Sequence, residues 1–97
     1  MSTLTPEQIE ARIAGGPWRL QDGALVRDLE LPDFGAVIAL LNRIADAAEA
    51  ANHHPDMLVH GWNGLRLTLS THSAGGVTDA YLALADAIDA LVPATGG

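Results

Sequence analysis

Two Asx-Gly dipeptides, at 22–23 and 63–64, constrain the fold most strongly, because each lies between two strand-like segments. Such dipeptides supply the positive-φ residues of tight hairpin turns. They predict one β-hairpin over 18–31 and a second over 57–71. In the second hairpin, leucines alternate with polar residues, a pattern typical of a sheet with one face in water.

Helical patterns precede, separate and follow the two hairpins. Residues 5–8, Thr-Pro-Glu-Gln, combine a hydroxyl cap, an early proline and a glutamine, as at a helix start, and Gly-Gly-Pro at 15–17 ends that helix. A long second helix is predicted to begin at Pro32-Asp33. It should end near Asn52 or His53, because Pro55 cannot continue it.

A third helix is predicted to begin at Thr78 and to stop at Pro93, and the tail 94–97 should be loose. Apolar residues recur at threes and fours in the two longer helices, so these positions are predicted to face the core. In the second helix they are Val37, Ile38, Leu41, Ile44, Ala45, Ala48 and Ala51, and in the third Tyr81, Leu84, Ala85, Ile88, Leu91 and Val92.

The order α-ββ-α-ββ-α predicts an α+β fold, in which a four-stranded antiparallel sheet is covered by helices on one face. Ninety-seven residues suffice for one domain with one modest core, so residues 1–97 are interpreted as a single domain. Trp18 is expected to anchor the core or an interface. So small a sheet leaves two edges, and pairing with another copy of the chain would cover them.

The composition excludes several classes of function. Twelve acidic and five basic residues give a formal net charge of −7, which disfavours direct binding to nucleic acid. The absence of cysteine excludes disulfides, thiolate metal sites and a cysteine nucleophile. No apolar run is long enough to span a membrane, and the first ten residues do not resemble a signal peptide, so a cytoplasmic location is expected.

All four histidines lie between residues 49 and 78, and they define the candidate site: His53, His54, His60 and His72. His53 and His54 follow a predicted helix C-terminus, where a protonated imidazole is favoured. Glu49 lies one turn before His53 and could orient an imidazole. Histidine exchanges protons near neutral pH, so the cluster predicts proton-transfer chemistry.

Covalent catalysis is not favoured by this pattern. Strand alternation places Ser70 and His72 on the same face but about 7 Å apart, too far for a direct hydrogen bond. His60 falls on the leucine side if the turn has two residues, and we interpret it as structural or exposed. Two other interpretations stay open: a solvated His-His-Pro helix cap, and a zinc or iron site formed by the remaining histidines and Glu49.

Several sequence blocks, taken together, closely resemble the pterin-4a-carbinolamine dehydratase family. They are Glu49-Ala-Ala-Asn-His-His-Pro55, Trp62-Asn63, Leu67-Thr-Leu-Ser-Thr-His72 and Gly76-Val-Thr78. The resemblance extends over most of the chain, since Trp18, the helix start at Asp33-Phe34 and the element order also fit. It implies the α+β fold just described, a homodimer or homotetramer, and no metal or bound cofactor.

The resemblance also implies an activity, the dehydration of 4a-hydroxytetrahydropterin to quinonoid dihydropterin in tetrahydropterin recycling. By matching position, the catalytic histidines would be His53, His54 and His72, and Glu49 would be the supporting carboxylate. Ser70 and Thr71 would bind the pterin, largely through the strand backbone.

Two positions depart from the family pattern. The first is Met57, which stands after His-His-Pro-acidic where the family often has an aromatic or aliphatic residue. Nine residues after the third histidine the family usually has an aspartate, where this chain has Tyr81. Asp79 lies two residues away, roughly 200° around a helix, and is a poor substitute. Animal relatives also act as dimerisation partners of a transcription factor, so the alternative hypothesis is a binding or dimerisation module with weak catalysis.

Overall fold

The computed structural model describes residues 3–70 and 76–93. Within these ranges the elements follow the predicted order, and the predicted α+β fold is confirmed. They are α1 (Pro6–Ile13), β1 (Arg19–Gln21), β2 (Ala24–Glu30), α2 (Phe34–Ala51), β3 (Asp56–His60), β4 (Gly64–Leu69) and α3 (Asp79–Leu91). Of the helices in these ranges, none is long and apolar enough to cross a lipid bilayer.

The two hairpins join into one antiparallel sheet of strand order β1-β2-β4-β3. The second arms of the hairpins are adjacent and pair from Leu25 opposite Leu69 to Glu30 opposite Gly64. This pairing leaves β1 and β3 as the edge strands. The antiparallel pairing of β3 with β4 brings Ser70, which follows β4, to the same end of the sheet as the chain that precedes β3.

The first hairpin turns where the sequence predicts. Asp22 and Gly23 have φ values of 52° and 80°, so both central residues of the turn are left-handed. The pairing of Gln21 with Ala24 closes the hairpin directly across these two residues. A two-residue loop of this kind matches the right-handed twist of the strands.

The predicted turn of the second hairpin, at Asn63-Gly64, is wrong. His60 pairs with Gly64, so the loop consists of the three residues 61–63. The positive φ values belong to Gly61 and Trp62, at 57° each. This register places His60 on the solvated face of the sheet rather than on the leucine side.

Asn63 is not one of the positive-φ residues of the turn. It binds Leu31, the residue directly after β2, instead. Its side-chain Nδ2 donates to the carbonyl oxygen of Leu31 at 3.0 Å. Its own carbonyl oxygen accepts from the Leu31 N–H at 2.9 Å. These two bonds connect the second hairpin to the segment that leads into α2, a long-range contact that local sequence does not encode.

The helices pack on the leucine face of the sheet. Leu65, Leu67 and Leu69 are fully buried and form one core with side chains from all three helices. The buried residues of α2 are Val37, Ile44 and Ala48, which were predicted to face the core, and Leu40, which was not. Ile38, predicted to face inward, is 36% exposed, and α2 also leaves Phe34 in water at 52% exposure.

Both terminal helices agree more closely with the sequence. Thr5 and Gln8 form a reciprocal capping box at the start of α1. In α3 the residues buried are Tyr81, Leu82, Leu84, Ala85 and Ile88. Leu91 and Val92 are partly buried and pack against the core. Thr78 caps α3 as predicted, although its side chain makes no capping hydrogen bond.

Two polar contacts of Asp89 connect α3 to the first hairpin and the residue before it. The indole Nε1 of Trp18 donates to Oδ1 of Asp89 at 2.8 Å. The same oxygen accepts from the guanidinium of Arg27, on the helix-facing side of β2. Trp18 is 6% exposed and the Arg27 side chain 12%, so the cation and the indole are both shielded from water. Trp18 is thus a core anchor, as expected.

The opposite face of the sheet carries an ion-pair cluster in water. Asp28 on β2 lies between Arg66 on β4, at 2.7 Å, and Arg19 on β1, at 2.9 Å. The hydrogen bond from Arg66, assisted by Arg19, holds the pKa of the Asp28 carboxyl below its usual range, against a smaller opposing effect of burial. Arg66, interpreted from sequence as a solvated strand residue, lies here at the surface.

Candidate functional site

The turn after α2 fixes the backbone of the two adjacent histidines. Asn52 has φ 55° and ψ 38°, the left-handed conformation that commonly ends a helix. Its N–H donates to the Glu49 carbonyl at 3.2 Å, and the His53 N–H donates to the Ala48 carbonyl at 3.1 Å. This pair of bonds is a Schellman motif, and it confirms the helix end predicted near Asn52.

Glu49 binds the second of the two histidines rather than the first. Nε2 of His54 lies 2.6 Å from Oε2 of Glu49. The sequence placed Glu49 one helical turn before His53, but the left-handed residue at 52 redirects the chain and brings the next imidazole over the carboxylate. The two side chains are 59% and 75% exposed. A pair so exposed contributes little to stability and is available to a ligand.

His53 points the other way, toward α3. Its imidazole lies against the phenol ring of Tyr81, with centroids 5.0 Å apart and planes at 63°. This edge-to-face arrangement is one of the preferred geometries of aromatic pairs. His53 is half-buried and Tyr81 is buried. Adjacent histidines therefore have two different supports, a carboxylate and an aromatic ring.

Ser70 lies at the same end of the sheet as the His-His turn. The last registered pair between β3 and β4 is Asp56 opposite Thr68. His54 precedes this pair and Ser70 follows it, so both leave the sheet at the same end. Ser70 is half-buried and immediately follows Leu69, the last residue of β4. Its predicted place on the polar side agrees with the alternation of β4, in which Leu65, Leu67 and Leu69 face the core.

Two predicted site residues, Thr71 and His72, lie outside the described residues. His72 follows Ser70 by two residues in the sequence. Its convergence with His53 and His54 therefore stays a prediction, as does the part of Thr71 in substrate binding. Among the described residues the structure pairs Glu49 with His54, and it pairs His53 with Tyr81.

His60 is separate from this group. It is exposed on the solvated face at the far end of β3, beside the 61–63 loop, and its ring covers Gly64. A Cβ at Gly64 would lie 2.7 Å from Cε1 of His60 and 2.8 Å from its backbone oxygen. The interpretation of His60 as structural or exposed fits this position.

The metal interpretation has no assembled ligand set in the part of the chain that the structure describes. Over residues 3–70 and 76–93, no three side chains of the His, Asp and Glu types lie close enough to hold one ion. Because His72 belongs to the proposed set and lies beyond those ranges, the expected absence of a metal stays a prediction. What Glu49 and His54 can do is share a proton.

Sequence reasoning did not anticipate the contact between His53 and Tyr81. It noted Tyr81 only as a departure from the family pattern and assigned its side chain to the core. The missed signal was Asn52, which tolerates a left-handed conformation and directly precedes the histidines. A Schellman turn at Asn52 directs the side chain of His53 back across the end of α2, toward the neighbouring helix α3.

Comparison with known proteins supports one family. The model of the family described as pterin 4 alpha carbinolamine dehydratase matches residues 2–91. A protein of Acidobacterium capsulatum, provisionally named pterin-4-alpha-carbinolamine dehydratase, is 44% identical over 93 residues, which are 95% of this chain and all of that protein.

Solved structures agree with the sequence match. A protein of Brucella melitensis described as a transcriptional coactivator/pterin dehydratase superposes with a TM-score of 0.87 at 26% identity, covering 95% of this chain and 100% of that one. A pterin dehydratase-like RuBisCO assembly factor of the alpha-carboxysome shares the fold, with a TM-score of 0.67 at 23% identity over 86% of this chain and 95% of that one. The resemblance carried by the histidine blocks is thereby confirmed, and the chain belongs to the pterin-4a-carbinolamine dehydratase family.

Proposed function

We propose that this chain dehydrates 4a-hydroxytetrahydropterin to quinonoid dihydropterin and water, by general acid–base catalysis through its histidines, in the recycling of tetrahydropterin. The observation that carries the proposal is the Schellman turn after α2, which holds two adjacent imidazoles on separate supports at one corner of the molecule. Family membership supplies the pterin class of substrate.

The reaction breaks the bond between C4a and its hydroxyl oxygen and forms a double bond between C4a and N5. An acid protonates the departing hydroxyl, which leaves as water, and a base takes the proton from N5. Imidazole can serve in either capacity near neutral pH. His53, His54 and His72 are the proposed catalytic residues, and no assignment of acid or base to a particular one is needed for the test.

Glu49 is the proposed supporting carboxylate, and it acts on His54. When Nε2 of His54 carries the proton shared with Glu49, Nδ1 presents a lone pair that can accept one. When the imidazole is protonated, the carboxylate stabilises the cation. Ser70 and Thr71 are proposed to bind the pterin through the backbone of the chain that leaves β4, which ends beside the His-His turn.

The test is a dehydratase assay on the purified chain, with the carbinolamine generated in the cuvette by a tetrahydropterin-dependent hydroxylase. We expect the chain to accelerate formation of quinonoid dihydropterin, and His72→Ala to lower kcat by about 10²- to 10⁴-fold. His60→Ala is the matched control and should retain full activity. A wild-type chain that fails to accelerate the reaction between about pH 6 and 8 would overturn the proposal.

Self-association belongs to the same proposal, as a homodimer or homotetramer. Phe34 and Ile38 lie one turn apart on α2, and both are exposed. The edge strands β1 and β3 have free pairing sides within the described sheet. Sedimentation equilibrium should give two or four chains per particle, and Ile38→Glu should shift the equilibrium toward monomer if α2 is an interface. A monomeric wild-type chain at micromolar concentration would contradict this part.

The remaining features of the proposal concern partners and location. The chain has five basic residues, all arginine, and four of them lie within ion-pair distance of a carboxylate. This supports the absence of direct nucleic-acid binding. We place the activity in the cytoplasm and assign it no metal or cofactor, so chelators should leave the rate unchanged.

A dehydratase-like binding or dimerisation module with weak catalysis is the second candidate. The exposed apolar side chains of α2 favour it, and the Brucella melitensis protein is described as a coactivator as well as a dehydratase. An inactive chain that co-purifies with one defined protein partner would support this function. Full dehydratase activity without such a partner would contradict it.

A further inference from the structure

We infer that Tyr81 is a positioning residue for His53: its ring holds the imidazole in the orientation that catalysis requires. This inference rests on the proposed dehydratase function, because it concerns how one of the proposed catalytic groups is aimed. It assigns a role to a position at which the chain departs from its family pattern.

Tyr81 is itself held firmly. It lies in the first turn of α3, where its N–H donates to the Thr78 carbonyl at 3.0 Å. Tyr81 is 6% exposed and Thr78 is 1% exposed, and Tyr81 belongs to the main core with Leu82, Leu84 and Ile88. A ring fixed by a helix and by the core has few alternative positions, so it can act as a rigid wall for a mobile neighbour.

The orientation of the His53 ring depends on packing of this kind. The Schellman motif fixes its backbone, but leaves the imidazole free to rotate about two side-chain torsions. The nearby carboxylate of Glu49 binds His54. Over residues 3–70 and 76–93 the His53 ring has no hydrogen-bond partner, whereas its edge-to-face contact with Tyr81 is well formed. Packing rather than hydrogen bonding therefore sets its orientation there.

The phenol ring of Tyr81 carries no net charge and contacts the imidazole edge to face, so it orients His53 by shape. A variant that keeps the ring should therefore keep the orientation of His53, and a variant that removes the ring should lose it.

The experiment compares Tyr81→Phe, which keeps the ring, with Tyr81→Leu, which keeps an apolar side chain without it. Ile88→Val is the matched control, because Ile88 is buried in the same helix seven residues further on. We expect Tyr81→Leu to lower kcat on the order of tenfold with KM nearly unchanged, and Tyr81→Phe to stay within about twofold of wild type. Ile88→Val should destabilise the fold without lowering kcat of the folded protein.

Proton NMR of the His53 ring supplies a readout that does not depend on activity. The ring protons of His53 should shift in Tyr81→Leu, which removes the ring current, and should keep their positions in Tyr81→Phe and Ile88→Val. Unchanged His53 resonances in Tyr81→Leu, or an unchanged kcat in an active enzyme, would overturn the inference.

Failure of the proposed function would look different. A wild-type chain that lacks dehydratase activity but shows the His53 shift in Tyr81→Leu would refute the reaction while supporting the contact as the element that orients His53. If the wild-type chain is active and Tyr81→Leu changes neither kcat nor the His53 resonances, the inference about Tyr81 is refuted while the proposed function stands.

Discussion

Two carboxylates, Asp89 and Glu49, each bind nitrogen atoms of other side chains, but their surroundings differ in exposure to water. Asp89 accepts from Trp18 and from Arg27, whose side chains are shielded from water. Glu49 meets His54 at a comparable distance, but both side chains are more than half exposed. One contact connects a helix to the sheet, and the other lies at the proposed catalytic corner.

The comparison separates two uses of one chemistry. A carboxylate that two shielded donors depend on contributes to the free energy of unfolding, because its loss leaves those donors unpaired. An exposed pair contributes little, since water competes for both partners. Changes around Asp89 should therefore alter stability, and changes around His54 should alter rate.

The largest expected effect lies in the rate. His53→Ala should lower kcat by about 10²- to 10⁴-fold, the usual loss of a general acid or base. Because His53 is only half-buried, the free energy of unfolding should change by less than about 1 kcal/mol. Steady-state kinetics and urea unfolding measure the two quantities. A large loss of stability with an unchanged rate would show that His53 serves the fold rather than catalysis.

The next effect is on stability. Asp89→Asn removes the charge beside Arg27 and should reduce the free energy of unfolding by about 2 kcal/mol, with activity retained in the folded fraction. Asp86→Asn, an exposed carboxylate on the same helix, is the matched control and should change stability by less than about 0.5 kcal/mol. Equal effects of the two variants in urea unfolding would show that Asp89 is not special.

The equivalent change at the catalytic corner should have a smaller effect. Glu49→Gln keeps the size of the side chain and removes its charge, so kcat should fall about 3- to 10-fold through weaker support of His54. The free energy of unfolding should change by less than about 1 kcal/mol because the pair is exposed. If Glu49→Gln destabilises the chain as much as Asp89→Asn does, exposure does not distinguish the two sites.

The smallest expected effect is on the stability of the fold at acidic pH. The folded chain lowers the pKa of Asp28, chiefly through Arg66, so this carboxylate stabilises the fold above its ordinary pKa of about 3.9 and loses that effect as pH falls through the lower folded value. Asp28→Asn should flatten stability against pH below about pH 4, by less than about 1 kcal/mol since the cluster lies in water. An unchanged acid transition would show that Asp28 is not among its causes.

Much of the fold could be predicted because local signals agreed with the tertiary structure. Asp22-Gly23 forms its turn as expected, and the proline and capping residues of α1 mark its start. The buried face of α2 was harder, because periodicity alone gives a stripe but not its rotation. Leu40 is buried and Ile38 is exposed, and the packing of α3 and the sheet decides between them.

The site was predictable in membership more than in arrangement. The cluster of histidines and Glu49 is visible in the sequence, and only the family resemblance named a pterin. The partner of Glu49 changed from the first histidine to the second because a single left-handed residue, Asn52, altered the direction of the chain. The bond between Trp18 and Asp89 joins residues 71 positions apart, beyond any local pattern.

The close approach of His60 to Gly64 has a consequence for protein engineering. Gly64 does not have a positive φ, and its missing side chain matters because the backbone oxygen of His60 would lie 2.8 Å from a Cβ there. A reporter peptide should therefore be grafted between Gly61 and Trp62, two exposed residues of the loop. The same graft between Asn63 and Gly64, the dipeptide that first indicated the hairpin, would disrupt the contacts of this turn with the end of β2.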